Sequence, residues 1–267
     1  MSIFKRVSAS FKNLSAESMS SSRSGGGSPQ SVWEAYRAGD YQLALKKADS
    51  LARNTVDYHF LRGTMLYKLG SLEESITMLD QAATMSGDDD RQLAKIYHAL
   101  GLALRDKQMT EEAVLCLEEA TKHHVHQGCH FRSMCTTLLM GGLRRAEALA
   151  KVQMAIRLDN GAQVSCPDST DMNLCESVAV LAWATAANSK DEWEVGKLDR
   201  EASALCDRMN KPVVAMVHYS FGRAYQELGK LNQSVPHFEK CAEAEPQGNY
   251  GRLAKAALES STEAVSG

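Results

Sequence analysis

Three stretches of this chain repeat one pattern of small residues, and that pattern restricts how its helices can pack. In YHFLRGTMLYKLGSLEESITMLDQA (58–82), IYHALGLALRDKQMTEEAVLCLEEA (96–120) and VHYSFGRAYQELGKLNQSVPHFEKC (217–241), a small side chain returns after 12 residues and again after 7. The triplets are Gly63, Ser75, Ala82; Gly101, Ala113, Ala120; and Gly222, Ser234, Cys241. Gly70 and Gly229 stand where the first helix of a pair must end. Small residues at matched heights let two antiparallel helices approach closely, while Leu66, Leu104 and Tyr225 with Leu79, Leu117 and Phe238 fill the space between pairs. The expected fold class is therefore all-α, a stack of antiparallel helix pairs.

Three weaker units follow the same spacing: Val32, Ala44, Leu51; Thr136, Ala148, Ala155; and Ala184, Gly196, Ser203. In the last of these, Arg200 falls where an apolar residue is expected. The strongest unit carries Phe221-Gly222, Tyr225, Gly229, Leu231, Ser234, Phe238, Cys241 and Pro246. These residues resemble the signature of the tetratricopeptide repeat, a helix–turn–helix of about 34 residues. The resemblance implies a right-handed superhelical solenoid across residues 31–260, about six helix pairs with Arg252–Ser260 as a capping helix. It also implies a non-catalytic scaffold or adaptor that binds protein or peptide segments in a concave groove lined by the first helices.

Composition narrows the alternatives. The 267 residues are 44% apolar and 24% charged, with a net charge of −3, so the whole chain offers no basic field for nucleic acid. Its longest apolar run, Val178 to Ala187, is too short to span a bilayer, which needs roughly 18 residues. Seven cysteines without a CxxC pair fit a reducing, cytoplasmic compartment better than a disulfide framework.

Residues 1–30 are rich in serine and contain Gly25-Gly26-Gly27, a composition that reads as a flexible tail. Within it Ile3, Phe4, Val7, Phe11 and Leu14 recur at helical spacing among Lys5, Arg6 and Lys12. An amphipathic helix over residues 3–14 that touches a membrane or a partner, and an organellar transit peptide, are the two other readings of this segment. Residues 261–267 are expected to be disordered. Two insertions interrupt the stack: Ser86 to Asp90, whose acids suit the cap of the next helix, and Gly161 to Asn173.

No GxSxG, HExxH or GxxxxGK[ST] motif occurs, so the sequence offers no catalytic signature and calls for no cofactor. The contrasting reading rests on residues 123–135, where four of eight histidines cluster with Cys129 and Cys135. His126 and His130 are one helical turn apart, and with Cys129 they are metal-ligand candidates for a metal-binding or enzymatic protein. Gly128 argues instead for a turn between helix pairs.

Counting from the small residue of each first helix places the groove-facing side chains at Phe60, Thr64, Tyr67 and Lys68; His98, Leu102, Arg105 and Asp106; and Tyr219, Arg223, Gln226 and Glu227. Co-chaperones of the resembled family hold a C-terminal carboxylate with Lys, Asn and Arg at the first two of these sites. Phe60/Thr64 and His98/Leu102 lack that chemistry, and only Tyr219/Arg223 keeps a cation. The expected ligand is an extended or helical peptide with apolar anchors and one or two acids.

Overall fold

The computed structural model describes residues 27–160, 170–206 and 208–266. Among them the chain forms thirteen helices and no strand, divided between two compact units, Met1–His124 and Val125–Gly267. It is an all-α helical repeat fold. No helix among the described residues is long and apolar enough to cross a membrane.

The first unit contains α1 (Pro29–Arg37), α2 (Tyr41–Ala48), α3 (Val56–Leu69), α4 (Leu72–Met85), α5 (Asp90–Asp106) and α6 (Thr110–His123). Helix α1 starts two residues before the expected boundary at residue 31, because Ser28 caps it and accepts the Ser31 N–H at 3.3 Å. Pro29 suits the first helical position, where its φ is preset and no N–H is lost. Residues 1–26 of the expected tail, including residues 3–14, lie outside the described residues.

Pairing within the unit follows the small-residue pattern. Ser75 Oγ donates to the Gly63 carbonyl at 2.8 Å, so α3 and α4 touch backbone to side chain. A Cβ added at Gly63 would lie 2.8 Å from Leu79 Cγ, and one at Gly101 would lie 2.7 Å from Leu117 Cγ. Both leucines are fully buried, so the absent Cβ is what makes room for them. Helix α3 ends with Gly70 at φ +85°, its N–H on the Tyr67 carbonyl and the Ser71 N–H on that of Leu66. Asp89 caps α5 by accepting the Gln92 N–H at 3.0 Å, the use expected of the acidic insertion.

The second unit contains α7 (Gly128–Met140), α8 (Arg145–Asn160), α9 (Thr170–Ser189), α10 (Glu192–Cys206), α11 (Lys211–Glu227), α12 (Leu231–Ala244) and α13 (Asn249–Ser266). Residues 161–169 of the second insertion lie outside the described residues, while Thr170 to Asn173 form the first turn of α9. Buried Arg132 on α7 draws three helices together. It donates to Asp159 of α8 at 3.1 Å, to Ser177 at 2.9 Å and Asn173 Oδ1 at 3.0 Å on α9, and pairs with Glu176 at 2.7 Å.

Two expectations need correction. The fifth unit was read on Ala184, Gly196 and Ser203, yet the residues that α10 buries are Val195, Leu198, Ala202 and Cys206, with Gly196 and Ser203 half-exposed. The structural register is Trp183, Val195, Ala202, one residue earlier. Lys190, seven residues after Trp183, takes the left-handed φ of +56° that Gly229 takes seven residues after Gly222. A tryptophan now stands where the second, third and sixth pairs carry glycine, and its ring packs against Tyr219 and Arg223 of α11. Asp199 accordingly replaces the bulky residue at the position of Leu79, Leu117 and Phe238. The second correction is that α13 begins at Asn249 and runs to Ser266, so residues 261–266 are helical rather than disordered. No helix breaker separates Ser260 from Ser266, and Ser261 donates its hydroxyl to the Ala257 carbonyl at 2.8 Å.

Candidate functional site

In the second unit, α9 and α11 bring Trp183, Tyr219 and Arg223 together. The Trp183 ring is fully buried, and the Arg223 guanidinium lies 4.9 Å from its centroid. Arg223 Nη1 donates to the Tyr219 hydroxyl at 3.2 Å. Arg223 Nε and Trp183 Nε1 are buried with no hydrogen-bond partner among the described residues. Two donors withdrawn from water cost stability unless an acceptor meets them, on the order of 1–3 kcal/mol each. A half-exposed cation backed by an aromatic ring and short of acceptors is suited to a carboxylate or carbonyl oxygen.

Tyr219 was expected to present its ring to a ligand. It is only 2% exposed, packed among Trp183, Phe238 and Tyr250 at centroid separations of 6.0, 5.9 and 5.4 Å. Its hydroxyl lies one helical turn from Arg223 and accepts from the guanidinium, so the ring supports the cation rather than facing a ligand. Gln226 is half-buried, and Glu227 is engaged by Lys190 at 3.2 Å and Arg145 at 3.5 Å.

The first unit also turns expected surface residues inward. Arg105 is 3% exposed, pairs with Asp106 at 2.8 Å and donates to the Tyr67 hydroxyl at 3.2 Å, so Tyr67 and Arg105 bind each other across α3 and α5. Thr64 returns its hydroxyl to the Phe60 carbonyl at 2.8 Å. Phe60 and Leu102 pack, partly buried, against the same core cluster, and His98 is half-buried. Lys68 hangs over the rings of Tyr36, Tyr41 and Tyr67 at 5.7 to 5.9 Å.

The histidine-rich segment divides between the two units. His123 ends α6, stacks on Tyr97 at 5.7 Å and reaches Asp90 at 2.8 Å, whereas His126 is exposed in the turn. Cys129 and His130 belong to the first turn of α7, His130 being buried. Gly128 opens that helix where a Cβ would meet Asp159. Among the described residues no three His, Cys, Asp or Glu side chains gather as a metal-ligating group.

A second histidine arrangement had no sequence signal, since its members come from three helices. His218 and His237 face each other through Nδ1 atoms at 2.9 Å, and His237 Nε2 lies 3.2 Å from Asp199. Tyr225 and Ser203 both donate to Asp199 at 2.9 Å. Burial pushes the Asp199 carboxyl up, but the hydrogen bonds from His237, Ser203 and Tyr225 outweigh it and hold the group below its ordinary value. Burial, with Asp199 beside it, pushes the Tyr225 phenol up.

Residues 94–122 and 217–247, spanning the third and sixth helix pairs, match the family model of the tetratricopeptide repeat. These are tetratricopeptide repeats. Among curated proteins none matches the sequence. Similar solved structures include MamA, at 15% identity over 81% of this chain and 95% of that one, with a TM-score of 0.42. YrrB, a tetratricopeptide-repeat protein with an unusual peptide-binding site, is 17% identical over 81% and 97%, also at 0.42. The C-terminal part of a repeat-containing protein from Cytophaga hutchinsonii is 13% identical over 94% and 92%, at 0.45.

Set beside the two matched tetratricopeptide units, the fifth pair differs in a way that builds the Arg223 site. A glycine at residue 183 would leave Arg223 without its aromatic backing. Trp183 is not among the site residues that the sequence suggests; the signal that could have found it is a bulky residue 12 and 19 residues ahead of Val195 and Ala202.

Proposed function

We propose that this chain is a non-catalytic scaffold that holds a protein or peptide segment against the first helices of its tetratricopeptide repeats. The observation that carries the reading is Arg223, half-exposed over Trp183, with its own Nε and the Trp183 Nε1 buried and lacking acceptors among the described residues. In this reading Arg223 takes a carboxylate or main-chain carbonyl of the partner, Tyr219 holds the guanidinium in place, and Gln226 extends the contact. Phe60, Thr64, His98 and Leu102 form the corresponding contact surface of the first unit, with Tyr67 and Arg105 as its support. The seven cysteines favour a reducing, cytoplasmic setting for this work.

The test begins with a partner recovered by co-purification and titrated against variants. Arg223→Ala is expected to weaken binding by about 1–2 kcal/mol, the range in which interface anchors stand out. Tyr219→Phe, which removes only the hydroxyl that accepts from Arg223, is expected to cost less. Exposed Lys240→Ala serves as the control. Unchanged affinity in Arg223→Ala with a loss in Lys240→Ala would move the interface to the second helices and end this reading.

A further inference from the structure

The shifted register of the fifth pair has an outward consequence as well as an inward one. Burying Val195 and Ala202 rotates Gly196 and Arg200 to the outside of α10. There Glu192, Trp193, Gly196 and Arg200 join Tyr225 of α11 and Gln233 of α12 around an open cleft of about 420 Å³. Gly196 keeps its floor low, since a Cβ there would meet only Arg200 Nη1, at 3.6 Å. Trp193 is 71% exposed, the most exposed of the large apolar side chains among the described residues. A tryptophan left in water offers a partner a large gain in apolar contact at little cost in side-chain entropy.

The charges around the cleft select the partner. Lys230 pairs with Glu192 at 2.9 Å and Lys197 with Glu194 at 3.4 Å, while Lys197 Nζ also lies 5.9 Å from the Trp193 ring centroid. These acids and lysines cancel in pairs. Arg200 is exposed and makes no ion pair among the described residues, so among the side chains that line the cleft the uncompensated charge is positive, although Asp191 and Glu201 stand exposed outside it. The one acid in the lining, Glu192, is already held by Lys230, whereas a carboxylate entering the cleft meets a guanidinium that no ion pair engages.

We propose that this cleft docks an acidic peptide segment, an apolar side chain lying on Trp193 and a neighbouring carboxylate on Arg200. The cleft is within the volume of ordinary ligand sites, but its openness to solvent suits one or two side chains of an extended chain rather than an enclosed small molecule. It shares no residue with the Arg223 site and does not depend on that reading.

The test titrates the full chain with an acetylated, amidated peptide of four Leu-Glu repeats, and with the matching Leu-Gln and Leu-Lys peptides. Saturable binding of the Leu-Glu peptide is expected, at least about fivefold tighter than the Leu-Gln peptide and weakening with salt. Trp193→Ala and Arg200→Gln should each lower that affinity about fivefold or more, and Arg200→Glu should turn the preference toward Leu-Lys. Both side chains are exposed, so melting temperatures should hold. No saturable binding at millimolar peptide would overturn the proposal, as would equal binding of Leu-Glu and Leu-Gln. Loss in Arg223→Ala with none in Trp193→Ala or Arg200→Gln would also overturn it, placing the acid at the Arg223 site and leaving that reading intact.

Discussion

Ser234 Oγ donates to the Gly222 carbonyl at 2.9 Å, across the sixth helix pair and out of reach of water. The bond exists only because neither helix presents bulk at the crossing, and Phe238 fills the space that a Gly222 side chain would need. A Cβ there would stand 2.6 Å from Phe238 Cε1. Ser75 and Gly63 repeat the arrangement in the second pair.

Substitutions at these crossings should rank by contact. Gly222→Ala and Gly101→Ala are expected to lose about 1–3 kcal/mol, because a packed ring or leucine must move. Ser234→Ala should lose about 0.5–1.5 kcal/mol, the net worth of one hydrogen bond. Gly196→Ala, in a helix with open space beside it, should gain up to about 1 kcal/mol from helix propensity. Urea unfolding measures all four; a Gly196→Ala variant as damaged as Gly222→Ala would restore the later register of the fifth pair.

Gln108 offers a stabilising change. It takes φ +65° at the end of α5, with its N–H on the Arg105 carbonyl and the next N–H on that of Leu104, the bonds that glycine closes at residues 70 and 229. Left-handed backbone costs a residue with a side chain roughly 1–2 kcal/mol. Gln108→Gly should recover about half of that, since glycine loses more freedom on folding. A fall in the thermal midpoint would show that the glutamine side chain makes a compensating contact.

Arg132 should be among the most sensitive positions of the second unit. Arg132→Met removes the cation that Asp159 and Glu176 share and leaves buried acceptors unanswered, an expected loss of about 3–5 kcal/mol. The double variant Arg132→Met/Asp159→Leu should recover part of the loss. Chemical denaturation of the three proteins checks this, and equal stability of wild type and Arg132→Met would mean that solvent replaces the arginine.

Asp199 ties stability to acid. Its carboxyl is held below the ordinary range, so the contribution is fully present above the unfolded-state value of about 4 and is lost as pH falls through the lower folded value. Melting temperatures of wild type and Asp199→Asn should differ most near neutrality and converge below about pH 4. A gap that stays constant down to pH 2 would show that the carboxylate charge is not what His237, Tyr225 and Ser203 stabilise.

The helix pairs were legible in the residues themselves. Where glycine or serine meets its partner 12 residues on, as at Gly63 and Ser75, the contact is local, so spacing alone identifies both helices and the turn between them. The candidate site was legible only in part. Arg223 could be found by counting from Gly222, but Tyr219 and Arg105 obey the same count and are nevertheless buried, because their exposure depends on the next first helix and not on their own.

Helices, turns and the crossings marked by glycine, such as those of Gly63, Gly101 and Gly222, follow from the sequence by itself, since each depends on residues fewer than twenty apart whose backbone preferences and sizes act directly. Only the tertiary structure decided the Trp183–Arg223 stack, the His218–His237–Asp199 network and the exposure of Trp193. Each joins different helices whose approach depends on how one whole pair seats against another, and a single residue's shift in register at α10 was enough to turn Gly196 and Arg200 outward.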